Sequence, residues 1–161
     1  MEIRYASSTD LEEINRIEQA NFSPEEQIAK GVLGSYLEHE KKTCLVIEDH
    51  GKVSGYILAL PTEHATVTDD LFERREPVAG PLPYLAIVSL SVAEAYQGQG
   101  VGTLLLAAIK EVAVQGSYDG ISLTCKDYLL SYYGMYQFEN LGLSTSQFGG
   151  KIWYDMYWSC P

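Results

Sequence analysis

The chain is short of everything that marks a secreted, metal-bound or membrane-spanning protein. Its three cysteines, Cys44, Cys125 and Cys160, form no C-x-x-C pair, and His39, His50 and His64 show no H-x-x-x-H spacing, so neither a disulfide framework nor a metal site is expected. Cys44 and Cys125 sit in apolar runs as small core residues, and reduced thiols suit a cytoplasmic location. The longest apolar run, Val101 to Ile109, is broken by Gly102 and Thr103 and falls short of the roughly 18 residues that a membrane span requires. Met1-Glu2-Ile3-Arg4 lacks the basic-then-apolar start of a signal peptide. Basic residues are scarce too: 11 Lys and Arg stand against 22 Asp and Glu, a formal net charge of -11. Nucleic acid is therefore not expected as a partner, because binding to its backbone is driven by clustered Lys and Arg.

What remains is 161 residues, 46% of them apolar, which is one domain's worth, residues 1–161. At this length folding removes roughly 70% of the unfolded chain's surface from water, enough for a core without staples. Residues 1–80 hold 16 acidic and 8 basic side chains, residues 81–161 only 6 and 3, and nine of the 12 tyrosines lie in the second part. No Pro- or Ser-rich linker separates the two, so this is a gradient within one domain. The acid excess serves solubility and weakly favours a cationic ligand.

Ile3 to Ala6 reads as a first strand, and Ser8-Thr9-Asp10 opens a helix carrying Leu11, Ile14 and Ile17 on one face and ending near Ala20. Ser23-Pro24-Glu25-Glu26 reads as the start of a second helix, with Ile28, Val32 and Tyr36 at intervals of four. Thr43 to Glu48 and Lys52 to Leu60 form a hairpin about Asp49-His50-Gly51. Pro61 to Pro83 is a long polar excursion, expected to be partly helical and at the surface. Tyr84 to Val92 is a fourth strand, Gly100 to Gln115 an apolar helix that must lie on a sheet, and Ile121 to Cys125 a fifth strand. Tyr128 to Phe138 predicts an aromatic helix, broken by Asn140-Leu141-Gly142, and strands at about 142–147 and 151–159 close the chain. The fold class is α/β (α+β), a mixed central sheet of about seven strands with about four helices.

The informative stretch is Gln97-Gly98-Gln99-Gly100-Val101-Gly102, between a strand and a helix. Glycines let a ligand approach the backbone there, and the first helical N–H groups with the helix dipole make an anion site without any basic side chain. Such a turn can also be mere close packing. A dinucleotide fingerprint would need glycine where Thr103 stands, and the G-K-[ST] ending of a P-loop is absent. The Q-x-x-G-x-G pattern instead resembles the pyrophosphate loop of the GNAT superfamily of N-acetyltransferases. Lys52-Val53-Ser54-Gly55-Tyr56-Ile57 is similar to that family's third strand, and Tyr133-Gly134-Met135-Tyr136-Gln137-Phe138-Glu139 to its Y-x-x-x-x-F segment. Leu123-Thr124-Cys125-Lys126-Asp127 with Leu130 and Tyr133 looks most like the arylalkylamine branch, although Ala86 and Val88 stand where that branch carries two histidines.

The resemblance implies acetyl-CoA as co-substrate, no metal, and a bulge and splay between strands four and five. Its phosphates would lie on Gln97, Gly98, Gln99, Gly100, Val101, Gly102 and Thr103, its pantetheine arm along Leu90 and Val92, and its sulfur near Tyr133. The Leu90 N–H would polarise the acetyl carbonyl and the Tyr133 phenol would protonate the leaving thiolate. An alkylamine of pKa near 10 is roughly 0.1% free base at pH 7, so the reaction needs a proton acceptor as well. Ser89 and Ser91 are poor bases; Tyr84, Glu63 and His64 approach the amine only if the excursion folds over it; a water chain is the default.

The function implied is acetyl transfer to the primary amine of a small molecule, by direct attack in a ternary complex. Two alternatives stay open: a catalytically weak acyl-CoA-binding regulatory module, and a protein or peptide N-acetyltransferase. Tyr56, Tyr84, Tyr132 and Trp153 are candidate apolar walls, and Glu63, Asp69, Asp70, Glu73 and Glu76 candidate attractors for a cationic acceptor. Neither a membrane nor a nucleic-acid partner is expected, and a homodimer is left open.

Overall fold

Seven segments pair as strands in the computed structural model, which describes residues 1–161. They are β1 (Glu2–Tyr5), β2 (Cys44–Asp49), β3 (Lys52–Thr62), β4 (Tyr84–Val92), β5 (Gly120–Cys125), β6 (Glu139–Leu143) and β7 (Tyr154–Ser159). The helices are α1 (Leu11–Asn21), α2 (Lys30–His39), α3 (Val101–Gln115) and α4 (Leu130–Met135). Hydrogen bonds order the sheet β1-β2-β3-β4-β5-β7-β6, with β4 and β5 parallel and every other pair antiparallel.

Strand alternation divides the interior into two cores. Cys44, Val46, Tyr56 and Leu58 face α1 and α2, whereas Leu45, Ile47, Ile57 and Ala59 face α3. The apolar character of α3 follows from this position: Leu105, Ile109 and Ala113 are wholly removed from water against the sheet. Each such leucine contributes about 1.5–3 kcal/mol by burial.

Two irregularities shape the middle of the sheet. Leu58 opposes Ser89 while Ala59 opposes Ile87, so Val88 is an extra residue on β4, a β-bulge. Ahead of it Leu85 and Ile87 point to α3; beyond it Leu90 and Val92 do, and Ser89 and Ser91 are turned to α1. The second is the splay: β4 and β5 pair only at Tyr84↔Gly120, Leu85↔Ile121 and Ala86↔Ser122, then part.

Local departures from the sequence reading have physical causes. The second helix begins at Lys30 rather than at Ser23-Pro24: Pro24–Glu26 makes one 3₁₀ turn, Gln27 to Ala29 is extended, and the Ile28 N–H is drawn to the Glu18 carboxylate at 3.0 Å. The aromatic helix is shorter than 128–138. Gln137 adopts φ 66°, and the Phe138 N–H returns to the Tyr133 carbonyl at 3.2 Å while that of Gln137 reaches Gly134, a left-handed cap that ends α4. The strand expected at about 142–147 lies at Glu139–Leu143 instead, because the supposed breaker is a bulge: Asn140 opposes Met156 and Gly142 opposes Asp155, with Leu141 extra. The excursion is anchored rather than superficial, with Leu71 and Phe72 buried and the Leu71 carbonyl accepting from the Tyr36 hydroxyl at 2.5 Å.

Candidate functional site

The parting of β4 and β5 opens a cavity of about 230 Å³ lined on one side by Ile87, Val88, Ser89 and Leu90 and on the other by Leu123, Thr124, Cys125 and Lys126. Tyr133 of α4 closes it from the β5 side and Glu18, Asn21 and Phe22 from α1. Phe72 of the excursion and Phe148 and Trp153 of the β6–β7 loop lie over it. The Asp69 carboxylate accepts from the Ser146 hydroxyl and from the Gln147 N–H at 2.9 Å, holding that loop in place.

A continuous track leads from this cavity to the glycine segment. Leu90, Asn21 and Phe22 also line a neighbouring groove with Ser91, Val92 and Gln97, and Val92 and Gln97 in turn line a third hollow of about 270 Å³ with Gly98, Gly100, Val101, Gly102, Thr103 and Tyr132. Nine of the residues anticipated from sequence thus lie along one path. Gln99 does not; its amide donates to the Ala95 carbonyl at 3.1 Å. Gly98 and Gly100 take φ of 75° and 81°, a conformation glycine adopts without strain, and this turns the chain into the α3 N-terminus. There the amides of residues 101–103 have no acceptor within the helix.

Main-chain groups of β4 face the same path. The Ala93 N–H bonds the Ser54 carbonyl at 2.8 Å, and antiparallel alternation then pairs Ser91 with Tyr56 and Ser89 with Leu58. The amides of Leu90 and Val92 are left pointing to the side from which β5 has departed. The Val92 carbonyl accepts from the side-chain amides of Asn21 at 2.8 Å and Gln97 at 3.0 Å.

Tyr133 is held edge-on between Tyr132 and Phe138, with ring centroids 5.1 and 6.0 Å away. Burial first, then the neighbouring Cys125 and Tyr132, push its phenol well above the ordinary value of 10, so it stays a proton donor throughout the neutral range. No cluster of three or more His, Cys, Asp or Glu side chains is placed to hold a metal ion, and no helix is long and apolar enough to cross a membrane.

Other anticipated residues lie elsewhere. Tyr56 is fully buried in the core rather than forming a wall, Tyr84 stacks edge-on with Tyr157 where β4 and β5 still pair, and Tyr132 belongs to the glycine hollow; only Trp153 lines the cavity. Glu63 and His64 lie 3.4 Å apart outside the cavity lining, exposed. Of the excursion's acids, Asp69 is engaged in holding the loop.

The residue that sequence reasoning missed is Glu18, 1% exposed in the wall of the cavity. Its Oε1 accepts from the hydroxyls of Tyr56 at 2.5 Å and Ser89 at 2.9 Å, and its Oε2 from the Ile28 N–H at 3.0 Å. Burial raises its pKa above the usual carboxylate range against the pull of these three donors.

The architecture recurs in solved structures. The GphF GNAT-like decarboxylase in complex with isobutyryl-CoA superposes with TM-score 0.80 at 15% identity, each chain fully covered. The ribosomal-protein-alanine N-acetyltransferase from Brucella melitensis gives 0.73 at 22% identity, with 99% of each chain covered. Arabidopsis thaliana Naa50 in complex with the bisubstrate analogue CoA-Ac-MVNAL gives 0.75 at 13%, covering 98% of this chain and 97% of that one. No curated protein matches the chain in sequence. The model of the acetyltransferase (GNAT) family, however, matches residues 10–140, a span that includes the splayed strands, the glycine turn and Tyr133, and the chain belongs to that family.

Proposed function

We propose that the protein transfers acetyl from acetyl-CoA to the primary amine of a small molecule, by direct attack within a ternary complex. The observation that carries this reading is the continuity of one path: a glycine turn with free helical amides, a strand edge with unpaired amides, and a cavity lined by both the half-buried phenol of Tyr133 and the buried carboxylate of Glu18. Phosphates lie on the amides of residues 98–103, where the helix dipole favours negative charge. Pantetheine runs along β4, and the Leu90 N–H meets the acetyl oxygen as charge develops on it. Tyr133 gives its proton to the departing sulfur.

A small acceptor is favoured over a peptide by the cavity's volume of about 230 Å³, with Phe72, Phe148 and Trp153 in its lining. The aromatic lining suits an amine with an apolar or aromatic body, in keeping with the arylalkylamine-like residues 123–127. Thiol release from acetyl-CoA, followed across aryl- and alkylamines, polyamines, amino acids and peptides, tests the proposal. Release dependent on small apolar amines supports it. Release with peptides alone, or CoA binding without any release, contradicts it.

A further inference from the structure

The buried carboxylate of Glu18 lacks a basic side chain in ion-pair contact; its three partners are neutral donors. A carboxylate in such a place is costly unless something positively charged joins it. Only one of the three donors reaches the cavity floor along β4: the Ser89 hydroxyl, turned to α1 by the Val88 bulge. Without that extra residue Ser89 would share the α3 face with Leu85 and Ile87, and no contact with Glu18 would exist. Tyr56 and the Ile28 N–H hold the carboxylate from behind, so its orientation does not depend on Ser89.

Resting on the acetyl-transfer reading, we infer that Ser89 and Glu18 form the relay that takes the proton from the acceptor's ammonium. The ammonium N–H bond breaks as a new O–H bond forms on Ser89 Oγ, and the original Ser89 proton passes to Glu18 Oε1 across the 2.9 Å hydrogen bond. The charges of ammonium and carboxylate cancel inside the cavity, leaving the nitrogen lone pair free to attack the thioester. No electrons are exchanged with any third species. That proton leaves to solvent after turnover; the second, lost from nitrogen as the tetrahedral adduct collapses, replaces the one Tyr133 gives to sulfur. A serine is a poor base alone, and the carboxylate behind it supplies the basicity.

The groups facing the relay are few. They are Tyr56 of β3, Ser91 of β4, Tyr36 of α2, Cys125 of β5 and Tyr133 of α4, all uncharged at neutral pH, with the Glu26–Lys126 pair, 2.7 Å apart, in the cavity lining. Glu18 is therefore the group in this set that loses its charge on mild acidification, and kcat/KM falls on the acid side as it becomes protonated.

The experiment is a pH profile of amine-dependent thiol release for the wild type, Glu18→Gln, Ser89→Ala and Ser89→Thr, with acetyl-CoA Kd and thermal unfolding measured on each. Ser89→Ala is expected to lose roughly 10²-fold or more in kcat/KM at neutral pH with unchanged acetyl-CoA Kd, and to recover as rising pH supplies free amine. Ser89→Thr, which keeps the hydroxyl, restores the rate. Glu18→Gln sets an amide against the Ile28 N–H; should it fail to fold, Ser89→Ala, which leaves Glu18 with two partners, decides alone. Ser89→Ala or folded Glu18→Gln within a few-fold of a wild type that acetylates amines, or an unchanged acid limb in Ser89→Ala, overturns the relay and leaves the acetyl-transfer reading standing. A wild type that turns over no amine removes both.

Discussion

The rings of Phe72 and Phe148 stack with centroids 4.1 Å apart and planes 19° from parallel, joining the excursion after β3 to the loop between β6 and β7 over the cavity. Phe148 also stands 6.4 Å from Trp153, whose indole N–H donates to the Phe148 carbonyl at 2.8 Å. Such an aromatic pair adds about 0.5–1.5 kcal/mol beyond its buried area. Phe148→Ala should therefore lower the stability of this contact by about that amount and, by widening the cavity, raise the acceptor KM and admit bulkier amines. Acetyl-CoA Kd should not move, because the glycine hollow shares no residue with this roof. An unchanged acceptor preference in this variant would show that the roof does not set acceptor size.

Gly102 meets Tyr132 across the phosphate hollow: a Cβ there would lie 3.0 Å from the Tyr132 hydroxyl. Gly102→Glu forces that hydroxyl aside and places a like charge where the pyrophosphate belongs. Loss of acetyl-CoA binding with unfolding temperature retained is the expected result, read by calorimetry and a thermal scan. Retained affinity in the folded variant would move the phosphate site elsewhere.

Tyr133→Phe removes a proton donor without emptying space. Its hydroxyl acts on charge that exists on sulfur only in the transition state, so kcat should fall by roughly 10²- to 10⁴-fold while acetyl-CoA Kd is kept. A kcat within a few-fold of the wild type would make Tyr133 a packing aromatic.

Arg4 donates to both oxygens of Asp10 at 2.8 and 2.9 Å and to Glu48 at 3.1 Å, tying β1 to the start of α1 and to β2. This bidentate hydrogen bonding holds the Asp10 carboxyl below its ordinary value. A depressed folded-state pKa means stability that is fully present above the unfolded value near 3.9 and is lost as pH falls through the folded one. The gap in unfolding temperature between wild type and Asp10→Asn should accordingly be widest at neutral pH and close in acid. A gap independent of pH would assign the loss to packing.

How much of this was legible in the sequence follows the range of the interactions. The glycine turn and Tyr133 could be read because their chemistry is local: residues 97–103 carry their own backbone instructions, and Tyr133 sits in a segment of recognisable spacing. Glu18 could not. Beside Glu12 and Glu13 it reads as one more solvated acid on α1, and its partners Tyr56 and Ser89 lie 38 and 71 residues away. The family resemblance implies a bulge near strand four, but nothing local in Ile87 to Ser91 places it at Val88, since the segment fits a regular strand equally well, and that position decides which face Ser89 occupies. The displaced start of α2 has the same origin. Ser23-Pro24-Glu25-Glu26 is a proper helix opening, and the long-range bond from the Ile28 N–H to Glu18 overrides it.

Cys125 lies in the cavity with Tyr133 and offers the one thiol there; burial pushes it up to about 11, so the reactive thiolate is scarce at neutral pH. The most direct test of direct attack is an initial-velocity study with acetyl-CoA and a small apolar amine both varied, joined to intact-mass measurement of enzyme held with acetyl-CoA alone. Intersecting double-reciprocal lines, an N-acetylated amine and an unmodified protein mass are the predicted result. Parallel lines with an acetyl adduct on Cys125, or no N-acetylated product at all, would contradict it.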